Sequence, residues 1–245
     1  MRSTQDSTAH AAAVPEIVLV PGLGLDERSS ARLRRRIGGA VVILPGMGRH
    51  RSVGTLEDLA DELRAALGSG PVVLVGHSQG CQVVVAAAEA DPRVAGVLLL
   101  GPTTDPRLRR LPVLAARWLR TAAGEPWWQA PLVLAQWLRT GPAAMTALWR
   151  RLSGDRIDAR LPRVAVPVVV VRGTRDALCP HDWAAALARR APRGRLVELP
   201  KAAHMTPQTH PDDVAALISD LARGRCDPSA TRRPPRDGRR RRRPG

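Results

Sequence analysis

Residues 71–80 read PVVLVGHSQG. Val72, Val73, Leu74 and Val75 make an apolar run too short for a helix and without polar alternation, the pattern of a strand buried on both faces of a parallel sheet. The run ends at Gly76-His77-Ser78-Gln79-Gly80, and an alanine- and valine-rich helical segment, 81–90, starts at once. A lone G-x-S-x-G also turns up in plain Gly-Ser loops. Between a strand and a helix it reads as a sharp, strained turn that holds a serine hydroxyl at the carboxyl end of a sheet. Glycines two before and two after the serine leave room for the neighbouring strand and helix. The amide-rich start of the helix then faces the hydroxyl.

Outward from this stretch, strands and helices alternate. Residues 16–20 (EIVLV) and 40–44 read as strands before it, and 94–100, 166–171 and 195–199 as strands after it. Between the second and third, Thr55 and Asp58 form a T-x-x-D capping box for a helix over 55–67, with Leu56, Leu59, Leu63 and Leu67 on one stripe. Helices are also expected over 182–190 and 211–221. Repeated β-α-β with apolar, unalternating strands predicts an α/β fold with a parallel sheet of about six strands flanked by helices. The rhythm changes over about 102–161. Three helical stretches open near Pro112, Pro131 and Pro142 and close near Gly124, Gly141 and Gly154. Five of the six tryptophans fall there, with Trp118, Trp137 and Trp149 sharing stripes with Leu111, Leu134 and Leu152. Each indole taken alone is a packing residue; together they predict a helical lid with an apolar underside.

Length and charge bound the rest. A chain of 245 residues suits one α/β domain, expected over 16–222, between a frayed leader, 1–15, and a tail, 223–245. The tail holds ten arginines against Asp227 and Asp237, half of the formal net charge of +16. Such a block repels itself and stays solvated, so nucleic-acid binding is not the expected role, although a basic tail has that capacity. Cys81, Cys179 and Cys226 lack C-x-x-C spacing and give neither a disulfide framework nor a zinc site. No stretch reaches the ~18 apolar residues of a membrane span, and the alanines of the leader are interrupted by Asp6, His10 and Pro15. The expected setting is cytoplasmic.

Two glycine-rich turns follow strands. Pro21-Gly22-Leu23-Gly24 is not a dinucleotide fingerprint, because Glu27 stands where a third glycine belongs, and no G-x-x-x-x-G-K-[ST] occurs. No cofactor or metal is expected.

A serine hydroxyl is a weak nucleophile at neutral pH and needs a base and a group that orients the base. An open parallel sheet gathers its site beyond the carboxyl ends of its strands. Asp176 stands just past the fifth strand and His204 just past the sixth, giving the order Ser78, Asp176, His204 expected with this turn. His204 is the expected general base and Asp176 its orienting acid, with Asp105, beyond the fourth strand, a rival carboxylate. His77 flanks the serine but points along the strand, away from its side chain; His10, His50, His181 and His210 are leader, loop or helix-start residues. A tetrahedral oxyanion needs two backbone N–H donors: Gln79, after the serine, and Leu23, with Gly24 as the alternative.

With these residues in place, the chain resembles the α/β-hydrolase superfamily over roughly residues 16–221. The matching pieces are PGLG, PGMGR, GHSQG, RGTRD and the AAH before the last helix. The resemblance implies an α/β-hydrolase fold and serine-hydrolase activity on an ester or related acyl bond, through a covalent Ser78 acyl-enzyme. Thioester or carbon–carbon cleavage on the same triad, or an inactive scaffold with a binding role, are the alternatives. The apolar lid leads to the expectation of a small or medium, apolar acyl substrate. Three departures stand out: 1–15 leaves little room for the usual first hairpin, Pro21-Gly22 replaces His-Gly, and Arg49-His50 stands near the position of a common serine.

Overall fold

The computed structural model describes residues 14–225. The leader up to residue 13 and the tail from residue 226 onward lie outside the described residues. Strands β1 (Glu16–Val20), β2 (Ala40–Val41), β3 (Val72–His77), β4 (Val94–Leu100), β5 (Val168–Gly173) and β6 (Gly194–Leu199) form one sheet in the order β2-β1-β3-β4-β5-β6. Every neighbouring pair is parallel, with Val18 opposite Leu74, Leu74 opposite Val97, and Val97 opposite Val168.

Successive side chains point to opposite faces of the sheet. Val18, Leu74, Val97, Leu99, Val168 and Val170 pack under α2 (Leu56–Ala65), α3 (Gly80–Ala88) and α8 (His181–Arg190). Leu19, Val73, Val75, Leu98, Val169 and Val171 pack under α1 (Ala31–Ile37) and α10 (Pro211–Ala222), the latter preceded by the single turn α9 (Thr206–Thr209). Each fully buried Val or Leu contributes roughly 1.5–3 kcal/mol relative to exposure, which is why unalternating runs mark a sheet covered on both faces. The capping box of α2 is present in both directions between Thr55 and Asp58.

Two expectations need correction, on the second strand and on the insertion, and one helix was not expected. The second strand, expected over 40–44, pairs only at Ala40–Val41 on the sheet edge. Leu44 and Met47 instead turn fully into the core, and Pro45 has no N–H for a ladder. Helix α1 gave no apolar stripe because four of its seven residues are arginine, and only Leu33 is buried. The stripes of the insertion are only partly inward. Between β4 and β5 lie α4 (Leu111–Ala122), α5 (Gln129–Thr140), α6 (Pro142–Leu152) and α7 (Ile157–Arg160). Leu111 is 68% exposed, Leu134 56% and Trp127 85%. Helix α5 carries one charge, Arg139, so its apolar residues surround it and cannot tell inner from outer face.

The strand order reverses between β1 and β3, each running out in opposite directions from the other. Open α/β sheets form a crevice at such a switch point, outside the carboxyl ends. The turns after β1 and β3 therefore meet.

Candidate active site

Ser78 sits at φ 54°, a left-handed conformation that costs a non-glycine residue of order 1–3 kcal/mol. Its neighbours enforce it. A Cβ on Gly76 would lie 2.7 Å from the Cys81 Cα, and one on Gly80 would overlap the carbonyl oxygen of Val20. The glycines of G-x-S-x-G thus let α3 turn back tightly against β3 and β1. Ser78 is partly exposed while His77 and Gln79 on either side are buried. The hydroxyl has access.

Three further loops reach the same place. A Cβ on Gly22, after β1, would stand 2.7 Å from the Ser78 Cβ and 3.3 Å from its Oγ. The Ser78 N–H donates to the Leu100 carbonyl at 2.9 Å, at the end of β4. The next residue, Gly101, has φ 54°, and a Cβ there would lie 2.9 Å from His204 Nδ1 and 3.0 Å from Asp176 Oδ2. Only a residue without a side chain lets the end of β4 approach that pair.

The pair itself is close: His204 Nδ1 and Asp176 Oδ2 are 2.7 Å apart, both residues buried. The other carboxylate oxygen, Oδ1, accepts from the N–H groups of Leu178 at 2.9 Å and Cys179 at 3.2 Å. Burial pushes the Asp176 carboxyl up, but the His204 charge and hydrogen bond and the two amides hold it below the ordinary value. Burial pushes His204 down, and Asp176, with a smaller contribution from Glu125, more than offsets this and raises it. An ionised carboxylate on Nδ1 fixes the tautomer in which Nε2 is free to accept a proton.

The rival acid, Asp105, lies elsewhere. It accepts from the Arg107 side chain and backbone N–H and pairs with Arg117 at 2.9 Å. His181 is exposed beside Glu198, and His210 precedes α10. Of the two candidate N–H donors in the first turn, Gly24 is committed to the Gly46 carbonyl at 2.8 Å. No acceptor among the described residues takes the N–H of Leu23 or Gln79. Among the described residues no cluster of His, Cys, Asp or Glu could hold a metal ion.

Two residues at the site have contacts that the sequence reading did not assign: His77, which it set aside as pointing away along the strand, and Glu125, which it did not single out. The His77 ring lies 5.0 Å from that of His204, and its Nε2 donates to the His204 carbonyl at 3.1 Å. Burial, with the nearby His204, lowers its pKa to about 3, so it stays neutral and braces the loop. Glu125, between α4 and α5, accepts the Met205 N–H at 2.6 Å. It is the sole carboxylate between Asp105 and Asp155, a signal visible in the sequence.

A profile of the α/β hydrolase family matches residues 17–217. The chain is 29% identical over 249 residues to the pimeloyl-[acyl-carrier protein] methyl ester esterase of Aromatoleum aromaticum, covering 86% of this chain and 99% of that one. Among solved structures, a thermophilic esterase superposes with a TM-score of 0.71 at 19% identity, covering 85% of this chain and 90% of its own. MenH from S. aureus superposes at 0.70 and 16% identity, covering 88% and 96%. With the six-stranded parallel sheet flanked by helices and the match over most of its length, this chain belongs to the α/β hydrolase family and is a hydrolase.

Proposed function

We propose that the protein is a serine esterase in which Ser78, His204 and Asp176 act as nucleophile, base and orienting acid. The single observation that carries the reading is the buried 2.7 Å His204–Asp176 pair at the end of β4, against the strained, accessible Ser78 turn. His204 Nε2 takes the Ser78 proton as Oγ attacks the ester carbonyl. The N–H groups of Leu23 and Gln79 hold the oxyanion. The C–O bond to the alcohol then breaks, His204 returns the proton to the departing alkoxide, and an acyl-serine remains. Water attacks that ester in a second round, with His204 again the base, and the acid product and free Ser78 are released.

The helical insertion serves as a lid over this site, with Trp137, whose Cδ1 would lie 2.6 Å from a Cβ on Gly24 of the first turn, as part of an apolar lining. The substrate is accordingly an ester of a medium-length, apolar acyl chain; a methyl ester of a carrier-bound acyl chain, as the name of the Aromatoleum relative gives, is the first to try. Among the described residues no helix is long and apolar enough to cross a membrane. The free, buried Cys81 and Cys179 suit the reducing cytoplasm.

The test is hydrolysis of a graded series of p-nitrophenyl and methyl esters by the full chain. Turnover that peaks at medium chain length and vanishes in Ser78→Ala supports the reading; turnover that survives that substitution rejects it.

A further inference from the structure

The loops that present Asp176 and His204 each have a main-chain N–H, one residue beyond the functional side chain, that is bonded by the same turn of the helical insertion. The Ala177 N–H donates to Thr121 Oγ1 at 3.0 Å, and the Met205 N–H donates to Glu125 Oε1 at 2.6 Å. Thr121 and Glu125 are four residues apart on the tight turn that ends α4, held by Gly124 N–H to Thr121 O at 2.9 Å and Glu125 N–H to Ala122 O at 3.1 Å. The turn is pressed onto both loops. A Cβ on Gly124 would lie 3.4 Å from the Ala203 Cβ and 3.6 Å from the Arg175 Cβ.

We propose that this turn is a strut that sets the spacing of the acid–histidine pair from the insertion side, and that Glu125 is a positioning residue for His204. The inference rests on the serine-esterase reading above and deepens it. Two amides next to the functional residues would otherwise lack acceptors, and buried N–H groups are costly to leave unmade. A carboxylate makes a stronger acceptor than a hydroxyl, so the histidine loop receives the firmer hold.

Charge adds a second effect. Glu125 Oε2 is buried and has no hydrogen-bond partner among the described residues. The carboxylate charge, shared with the Oε1 that the Met205 N–H holds, acts on the imidazolium that forms when His204 takes a proton. The groups that face His204 are Asp176 from the loop after β5, His77 from the end of β3, and Glu125 from the insertion. Arg175, beside the turn, is exposed. His77 stays neutral and Asp176 stays ionised through the range in which His204 titrates. Burial, with Asp176, raises the Glu125 carboxyl above its ordinary value, against the pull of the Met205 amide and His204. Removing the Glu125 charge therefore lowers the pKa of His204 and weakens it as a base.

The experiment follows the rate of Ser78 labelling by a fluorophosphonate across about pH 5 to 9, which needs no knowledge of the substrate. Four full-length variants are compared with wild type: Ser78→Ala, Glu125→Ala, Glu125→Gln and Thr121→Val, with melting curves to verify folding. Glu125→Ala is expected to slow labelling roughly 10-fold or more through misplacement of the imidazole. Glu125→Gln keeps an acceptor for the Met205 amide and recovers part of the rate, while the acid limb moves down by roughly 0.5 pH unit. Thr121→Val loses a few-fold in rate with the acid limb in place, since no charge is removed. A wild-type rate and limb in both Glu125 variants, with Ser78→Ala unlabelled, overturns the strut alone. So does a rate loss in Glu125→Ala with no movement of the limb in either variant. Labelling that persists in Ser78→Ala overturns the esterase reading and the strut with it.

Discussion

The carboxyl-end loops of the sheet and the helical insertion that rests against them are held by different means. The turns around the serine are held chiefly by backbone. Ser78 is bonded to Leu100, Arg175 to Ala202, and Gly22, Gly76, Gly80 and Gly101 stand where any side chain would strike a neighbour. The insertion is fixed by side chains: Gln136 to the Asp26 N–H, Thr140 to the Gly24 carbonyl, Arg117 to Asp105, Glu125 to Met205. Its outer face meanwhile exposes Leu111, Leu119, Trp127 and Leu138. Backbone contacts permit almost no substitution, whereas side-chain contacts can be exchanged for others of similar reach. The proposed nucleophile, base and acid thus stand on the backbone-held part, with Thr121 and Glu125 of the insertion bracing two of their loops.

The sharpest way to break that contrast is in the loops. Ser78→Ala should reduce ester turnover by roughly 10⁴–10⁶-fold with little change in melting temperature, and Asp176→Asn by ~10⁴-fold, through the wrong imidazole tautomer. Gly80→Ala should cost about 3 kcal/mol of stability in urea unfolding, because the added methyl meets the Val20 carbonyl and no rotamer relieves it. A Gly80→Ala protein as stable as wild type would show that the elbow backbone is softer than the contacts imply.

A pH series sharpens the electrostatics. The folded pKa of His204 lies above its ordinary value of 6.5. Its pairing with Asp176 therefore adds stability that is complete below the unfolded value and is lost as pH climbs through the folded one. The melting advantage of wild type over His204→Gln should shrink across that window on the alkaline side of 6.5. For the same reason the acid limb of kcat/KM should lie above the ordinary imidazole value. An advantage that grows with pH contradicts the assignment.

Smaller effects separate strain from tolerance. Ser78→Gly removes a side chain from a left-handed backbone and should raise stability by about 1 kcal/mol while abolishing turnover. On the insertion, Trp127→Ala should stay within about 0.5 kcal/mol in stability and leave turnover unchanged, since the ring is 85% exposed.

What was legible in the sequence follows the same division. A strand covered on both faces must be apolar throughout, so 72–75, 94–100 and 166–171 announce themselves, and the glycines around Ser78 are required by contacts that admit nothing else. The chain order of Ser78, Asp176 and His204 falls at strand ends because that is where such sheets open. The insertion was harder to read. Helix α5 is apolar nearly all round, so composition could not say that Leu134 and Leu138 face outward while Gln136 and Thr140 are buried. The arginines of α1 hid a helix held by Leu33. Glu125 and His77 act through backbone atoms of residues about 80 and 127 positions away, a relation that no local pattern records.

The account stands on Ser78 being the nucleophile of a base supplied by His204. Peptide mapping of the protein after reaction with a fluorophosphonate tests this most directly. The predicted result is a single phosphonyl adduct on the peptide carrying Gly76-His77-Ser78-Gln79-Gly80, absent in Ser78→Ala and strongly reduced in His204→Ala. An adduct on another residue, or an undiminished adduct on Ser78 without His204, would contradict it.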